Sequence, residues 1–123
     1  FAAEYVYSTF LAPANAAAAS KAVEITESLE CDRPIWRASA SSLRQELETQ
    51  GLQTIMGDSP VVPILVGEAD LAMRAAENLE RDHLKVVAIR PPTVPVGAAR
   101  LRMSYQAGLP IDGLAERLAR AIN

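Results

Sequence analysis

Between Arg90 and Arg100 runs Pro91-Pro92-Thr93-Val94-Pro95-Val96-Gly97. Neither a helix nor a central strand can contain it, because each proline lacks a backbone donor and has its φ fixed by the ring. The segments on either side must therefore be separate elements joined by a stiffened loop. On the N-terminal side, Leu84 to Ile89 is apolar with a β-branched pair at Val86-Val87 and reads as a strand. On the C-terminal side, Ala99 to Tyr105 alternates, with Leu101 and Met103 on one side and Arg100, Arg102 and Ser104 on the other. A strand of that pattern buries one face and leaves two guanidinium groups on the other.

The remaining elements follow from apolar spacing. Tyr5 to Thr9 is β-prone, and Pro13 suits the first turn of a helix reaching about Glu30, whose Ala18, Ala22, Ile25 and Leu29 form one stripe expected to face a core. Asp32-Arg33-Pro34 restarts the chain, and Trp36, Ala40, Leu43 and Leu47 mark a second amphipathic helix ending at Gly51. Gln53 to Met56 is a candidate short strand, Gly57 to Pro60 a turn, and Val61 to Val66 a buried strand in which Pro63 predicts an edge or a bulge. Leu71, Ala75 and Leu79 mark a third helix. Ile111, Leu114, Leu118 and Ile122 mark a closing one.

The expected fold is α+β: a two-layer sandwich with a small, mainly antiparallel sheet covered on one face by helices. At 123 residues one domain is expected. A net charge of −3 with half the residues apolar leaves no footprint for nucleic acid. No apolar run reaches the roughly 18 residues of a membrane span. Cys31 is the only cysteine, which excludes an internal disulfide and fits a reducing, cytoplasmic setting. The chain opens at Phe1 without a methionine and is expected to belong to a longer polypeptide.

Few residues suit independent chemistry. The single histidine, His83, lies in the polar turn Arg81-Asp82-His83 and is expected to be solvated; no nucleophile elbow, phosphate-cradling glycine motif or metal-ligand cluster accompanies it. Arg90, Arg100 and Arg102 remain. The last two project from one strand face as a carboxylate or phosphate clamp, or else as a solvated face.

Asp58-Ser59-Pro60-Val61-Val62-Pro63-Ile64-Leu65-Val66-Gly67-Glu68, followed by a helix and then Ala88-Ile89-Arg90-Pro91-Pro92-Thr93-Val94-Pro95-Val96-Gly97-Ala98-Ala99-Arg100-Leu101-Arg102, resembles the C-terminal domain of the α-oxoamine synthases. Tyr7-Ser8-Thr9-Phe10-Leu11-Ala12-Pro13 resembles the segment just beyond their catalytic lysine, so that residues 1–13 would connect to a cofactor-binding domain and 1–123 would be the small C-terminal domain. The resemblance implies a fold-type I enzyme using pyridoxal phosphate, a homodimer, with amino-acid and acyl-thioester substrates. Arg-Pro-Pro points to the branch that condenses L-alanine with a pimeloyl thioester in biotin synthesis. Glycine C-acetyltransferase and 5-aminolevulinate synthase, the alternatives within the family, tend to have Tyr-Pro there.

Position by position, the resemblance implies that Arg102 pairs with the amino-acid carboxylate, that Thr9 and Ser8 reach the cofactor phosphate of a neighbouring subunit, and that Arg90 meets the distal carboxyl of the acyl group. Ser20-Lys21-Ala22 imitates a Schiff-base motif but falls within a helix, so Lys21 is expected to be solvated and the true lysine to lie upstream. Three departures stand out: Phe10 takes a place usually held by a small residue, His83 replaces a helix-ending glycine, and Met103 to Pro110 is shorter than and different from the usual small-residue and His-Thr stretch. A different class of reading is a free-standing anion-binding regulatory module using Arg100 and Arg102.

Overall fold

The computed structural model describes residues 11–30, 32–106 and 108–123. It divides into two compact units, Phe1–Arg33 and Pro34–Asn123, a boundary twenty residues beyond the expected connecting segment.

In the first unit, α1 (Pro13–Ser28) opens with proline in its first turn, as the sequence predicts. None of its residues is buried, which corrects the expectation that its apolar stripe faces a core. Ala18, Ala22 and Ile25 are exposed and Leu29, just past the helix, is half-buried. A stripe faces a core only where a second layer opposes it, and no other helix or strand is described within this unit.

The second unit contains α2 (Arg33–Thr49, counted from the boundary residue), β1 (Val61–Gly67), α3 (Ala69–Arg81), β2 (Val87–Ile89), β3 (Ala99–Ser104) and α4 (Leu114–Ile122). The sheet order is β1-β3-β2, with both ladders antiparallel. Val62, Ile64, Leu101 and Met103 turn to one face and are buried with Ala40, Leu43 and Leu47 of α2, Ala72, Ala75 and Leu79 of α3, and Leu114 and Leu118 of α4. This is the two-layer α+β arrangement expected from the alternation.

Differences are confined to margins. The strand predicted from Leu84 pairs only from Val87, because Leu84 and Val86 lead in as buried core residues. Gln53 to Met56 contributes one bridge, Thr54 to Ile64, on the outer side of β1. In α3 the buried contact passes from Leu71 to Ala72, where a small side chain lets the helix approach the sheet. The register of β1 slips between Leu65 and Gly67, so Pro63 occupies an edge strand that also carries an irregularity.

Both long helices of this unit end in the same turn. After α2, Gly51 N–H donates to Glu48 O and Leu52 N–H to Leu47 O, with Gly51 at φ 78°. After α3, His83 N–H donates to Glu80 O and Leu84 N–H to Leu79 O, with His83 at φ 59°. In each turn the left-handed residue lets orphan carbonyls be satisfied and returns a leucine to the core. His83 does so with a Cβ, at the position where glycine was missed.

Candidate functional site

Three side chains in β3 fall on the face opposite the one that α2, α3 and α4 cover. Arg100 stands between Leu65 of β1 and Ile89 of β2, and Arg102 between Pro63 and Val87. Ser104 follows opposite Val61. Polar groups thus run down the middle strand with apolar side chains on both flanks, and Val87 is 43% exposed.

The two arginines differ in setting. Arg100 is half-buried, and its Nε donates to Ala98 O at 3.2 Å, which fixes the plane of the fork and leaves the Nη groups to other partners. Arg102 is exposed. Neither has a carboxylate within ion-pairing distance among the described residues, whereas Arg33, Arg37, Arg81 and Arg117 are paired with Glu30, Asp58, Glu77 and Asp82. Arg90, also exposed, follows the last paired residue of β2, and its carbonyl accepts the Thr93 N–H at 3.0 Å. Since Ile89 is the partner of Arg100, Arg90 comes one residue past that end of the face. Thr9 and Ser8, the expected cofactor-phosphate contacts, lie outside the described residues, as does Cys31.

A groove of about 440 Å³ has walls from Gly51, Gln53, Leu65, Gly67, Gly97 and Ala98. Gly67 and Gly97 both have positive φ, and a Cβ on Gly67 would stand 3.7 Å from Gly97 O. Two glycine turns meeting there leave backbone accessible to a ligand.

Sequence reading overlooked Arg44. It is 4% exposed and donates to four carbonyls: Nη1 to Ala40 O at 3.1 Å, Nε to Ile55 O at 3.2 Å, and Nη2 to both Ser59 O and Val61 O at 2.8 Å. It ties the turn before β1 onto α2. The signal was present: Ala40, Leu43, Arg44 and Leu47 are spaced i, i+3, i+4, i+7, which puts a charge within an apolar stripe.

Residues 1–122 match the family described as Aminotransferase class I and II. The chain belongs to that family. Among its relatives, 8-amino-7-oxononanoate synthase of Methylobacterium radiotolerans is 44% identical over 121 residues, covering 96% of this chain and 31% of that protein. The crystal structure of 8-amino-7-oxononanoate synthase from Francisella tularensis superposes with a TM-score of 0.81 at 25% identity, over 99% of this chain and 36% of that one. A serine palmitoyltransferase structure containing pyridoxal phosphate has a TM-score of 0.62 at 21% identity, over 75% of this chain and 25% of that one, a likeness of fold alone. This aminotransferase-family chain spans 27% to 32% of the length of curated relatives it matches. The resemblance to α-oxoamine synthases read from Asp58–Glu68 and Ala88–Arg102 agrees with these relatives.

Proposed function

We propose that this chain is the C-terminal, substrate-gripping part of a pyridoxal-phosphate-dependent C-acyltransferase that condenses L-alanine with a pimeloyl thioester to 8-amino-7-oxononanoate, with loss of carbon dioxide. The observation that carries the reading is Arg102: an exposed guanidinium at the centre of an open sheet face, with no acidic partner among the described residues. A planar fork held by a strand suits a carboxylate, and two parallel hydrogen bonds would fix the amino acid's α-carbon relative to whatever lies beyond it.

The described residues fit a substrate anion better than the cofactor itself. Lys21 is exposed on α1 and bound to Glu24 at 2.6 Å, and Lys85 is exposed, so neither offers a secluded amine. Pyridoxal phosphate, when bound, supplies an electron sink that acidifies the amino acid's α C–H. In this proposal the cofactor is held mainly by the cofactor domain of a longer cytoplasmic homodimer, with Thr9 and Ser8 reaching its phosphate. Arg102 holds the alanine carboxylate, and Arg90 meets the distal carboxyl of the acyl group.

The test is steady-state kinetics on a full-length enzyme containing this segment. Arg102→Gln is expected to raise KM for alanine by about two orders of magnitude, the scale of a bidentate charged contact, with a far smaller effect on KM for the thioester. An unchanged alanine KM would remove Arg102 from the site. For Arg90→Ala the acyl-thioester KM should rise, and an unchanged value would remove Arg90.

A further inference from the structure

We infer that Arg44 is a positioning residue for Arg102: its buried guanidinium sets the register in which β1 meets β3, and through that register places Pro63 opposite the arginine. This rests on the reading of Arg102 given above and adds to it a determinant of amino-acid affinity on the far side of the sheet.

Strand β1 needs such a pin. Val61, Pro63 and Leu65 on one face and Val62 and Ile64 on the other are all apolar, so burial alone does not choose its register. Pro63 opposes a shift of one residue, which would turn its missing donor toward β3. A shift of two keeps the proline outward but carries it about 7 Å along β3, opposite Arg100 or Ser104 instead of Arg102.

Arg44 stands against that second shift. Its Nη2 donates to Ser59 O and Val61 O, both at 2.8 Å, and so draws two carbonyls two residues apart to one side. The carbonyl between them, that of Pro60, turns the other way and accepts the Tyr105 N–H at 2.8 Å, which extends the Val61–Ser104 pairing by one step in the same register. Nε donates to Ile55 O at 3.2 Å, and Ile55 N–H donates in turn to Pro63 O at 3.4 Å. A single residue thus connects Arg44 to the proline that faces Arg102.

The anchor is itself fixed. Nη1 returns to Ala40 O at 3.1 Å, and Leu43 and Leu47 of the same helix are wholly buried. A cross-strand proline leaves the Arg102 stem fewer directions than a flexible side chain would, and a fork ordered before the carboxylate arrives binds it more tightly.

The test is steady-state kinetics on a full-length enzyme containing this segment. KM does not depend on how much of the enzyme is folded, so it separates positioning from stability. Arg44→Met should raise the alanine KM about tenfold and leave the thioester KM within about twofold; Arg44→Lys, which keeps one charged donor, should raise the alanine KM about threefold and serves as the readout where the methionine variant does not fold. An unchanged alanine KM in the folded variant, or an equal rise in the thioester KM, overturns the inference. Arg102→Gln separates the underlying reading: a normal alanine KM there overturns Arg102 and the inference with it, whereas a raised one beside an unchanged Arg44 variant overturns the inference alone. Adding the Arg44 substitution to Arg102→Gln should raise KM no further, because Arg44 acts through Arg102, and a second rise of the same size would also overturn the inference.

Discussion

Pro63 stands directly opposite Arg102 in the β1–β3 ladder, and its ring costs that ladder no hydrogen bond. Leu65 N–H donates outward to Gln53 O at 2.8 Å, and Pro63 O accepts outward from Ile55 N–H at 3.4 Å. Backbone groups of residues 63 and 65 thus point away from β3, and those of Val62 and Ile64 point toward it. The missing donor falls on the outer edge, and the pair with Arg102 is of the closer, non-hydrogen-bonded kind, which brings a rigid ring against the arginine stem.

Proline at the neighbouring position should behave differently. Pro63→Ala is expected to change stability by less than about 1 kcal/mol, whereas Ile64→Pro, which deletes an inward donor and a buried side chain, should cost at least about 3 kcal/mol. Urea unfolding of the two variants checks this, and similar midpoints would contradict the assignment of inward and outward groups.

Arg44 offers a second check. Arg44→Met keeps the apolar stem but strands the carbonyls of Ile55, Ser59 and Val61, so a loss of about 3 kcal/mol is expected. Hydrogen exchange should show the opening concentrated between residues 55 and 61.

His83 is in the left-handed region without being glycine. His83→Gly should stabilise the chain by about 1 kcal/mol by removing the Cβ penalty at the helix end, seen as a higher thermal midpoint. Ala at the same position should not, since it retains the Cβ.

Lys21 lies on an exposed helix surface and is held by Glu24. The chain mixed with pyridoxal phosphate should therefore show no saturable Schiff-base absorbance, and borohydride reduction should leave no stoichiometric adduct at Lys21. Mass spectrometry of the peptide containing residue 21 decides it.

Much of the fold could be read from the sequence because burial imposes periods. Leu101 and Met103 against Arg100 and Arg102 define the two faces of β3 by alternation alone, and Pro63 marks an edge or a bulge. What could not be read was relational: the order β1-β3-β2 depends on which strands meet, and no local pattern in Val87–Ile89 names its partner. For α1, a stripe of alanines and Ile25 has the period of a buried face without saying what would cover it. At the candidate site, the arginine pair was legible from spacing. The groove and the Ala98 bond were not, because they depend on Gly51, Gly67 and Gly97 being brought together from three separate turns. Arg44 was hidden because a charge in an apolar stripe reads as an interruption until its carbonyl partners are known.

The middle position of β3 governs how the molecule assembles. Strands β1 and β2 are not paired with each other, and the one that joins them comes after both in sequence. Nucleation of the sheet must therefore wait until residues 99–104 are available, at the loop-closure cost that slows pairings distant in sequence. Zipping that strand into place seals Leu101 and Met103 inside and sets out Arg100 and Arg102 in one event, and a slip of a single residue would exchange the two sets. Folding correctly and acquiring the arginine face are thus the same kinetic step.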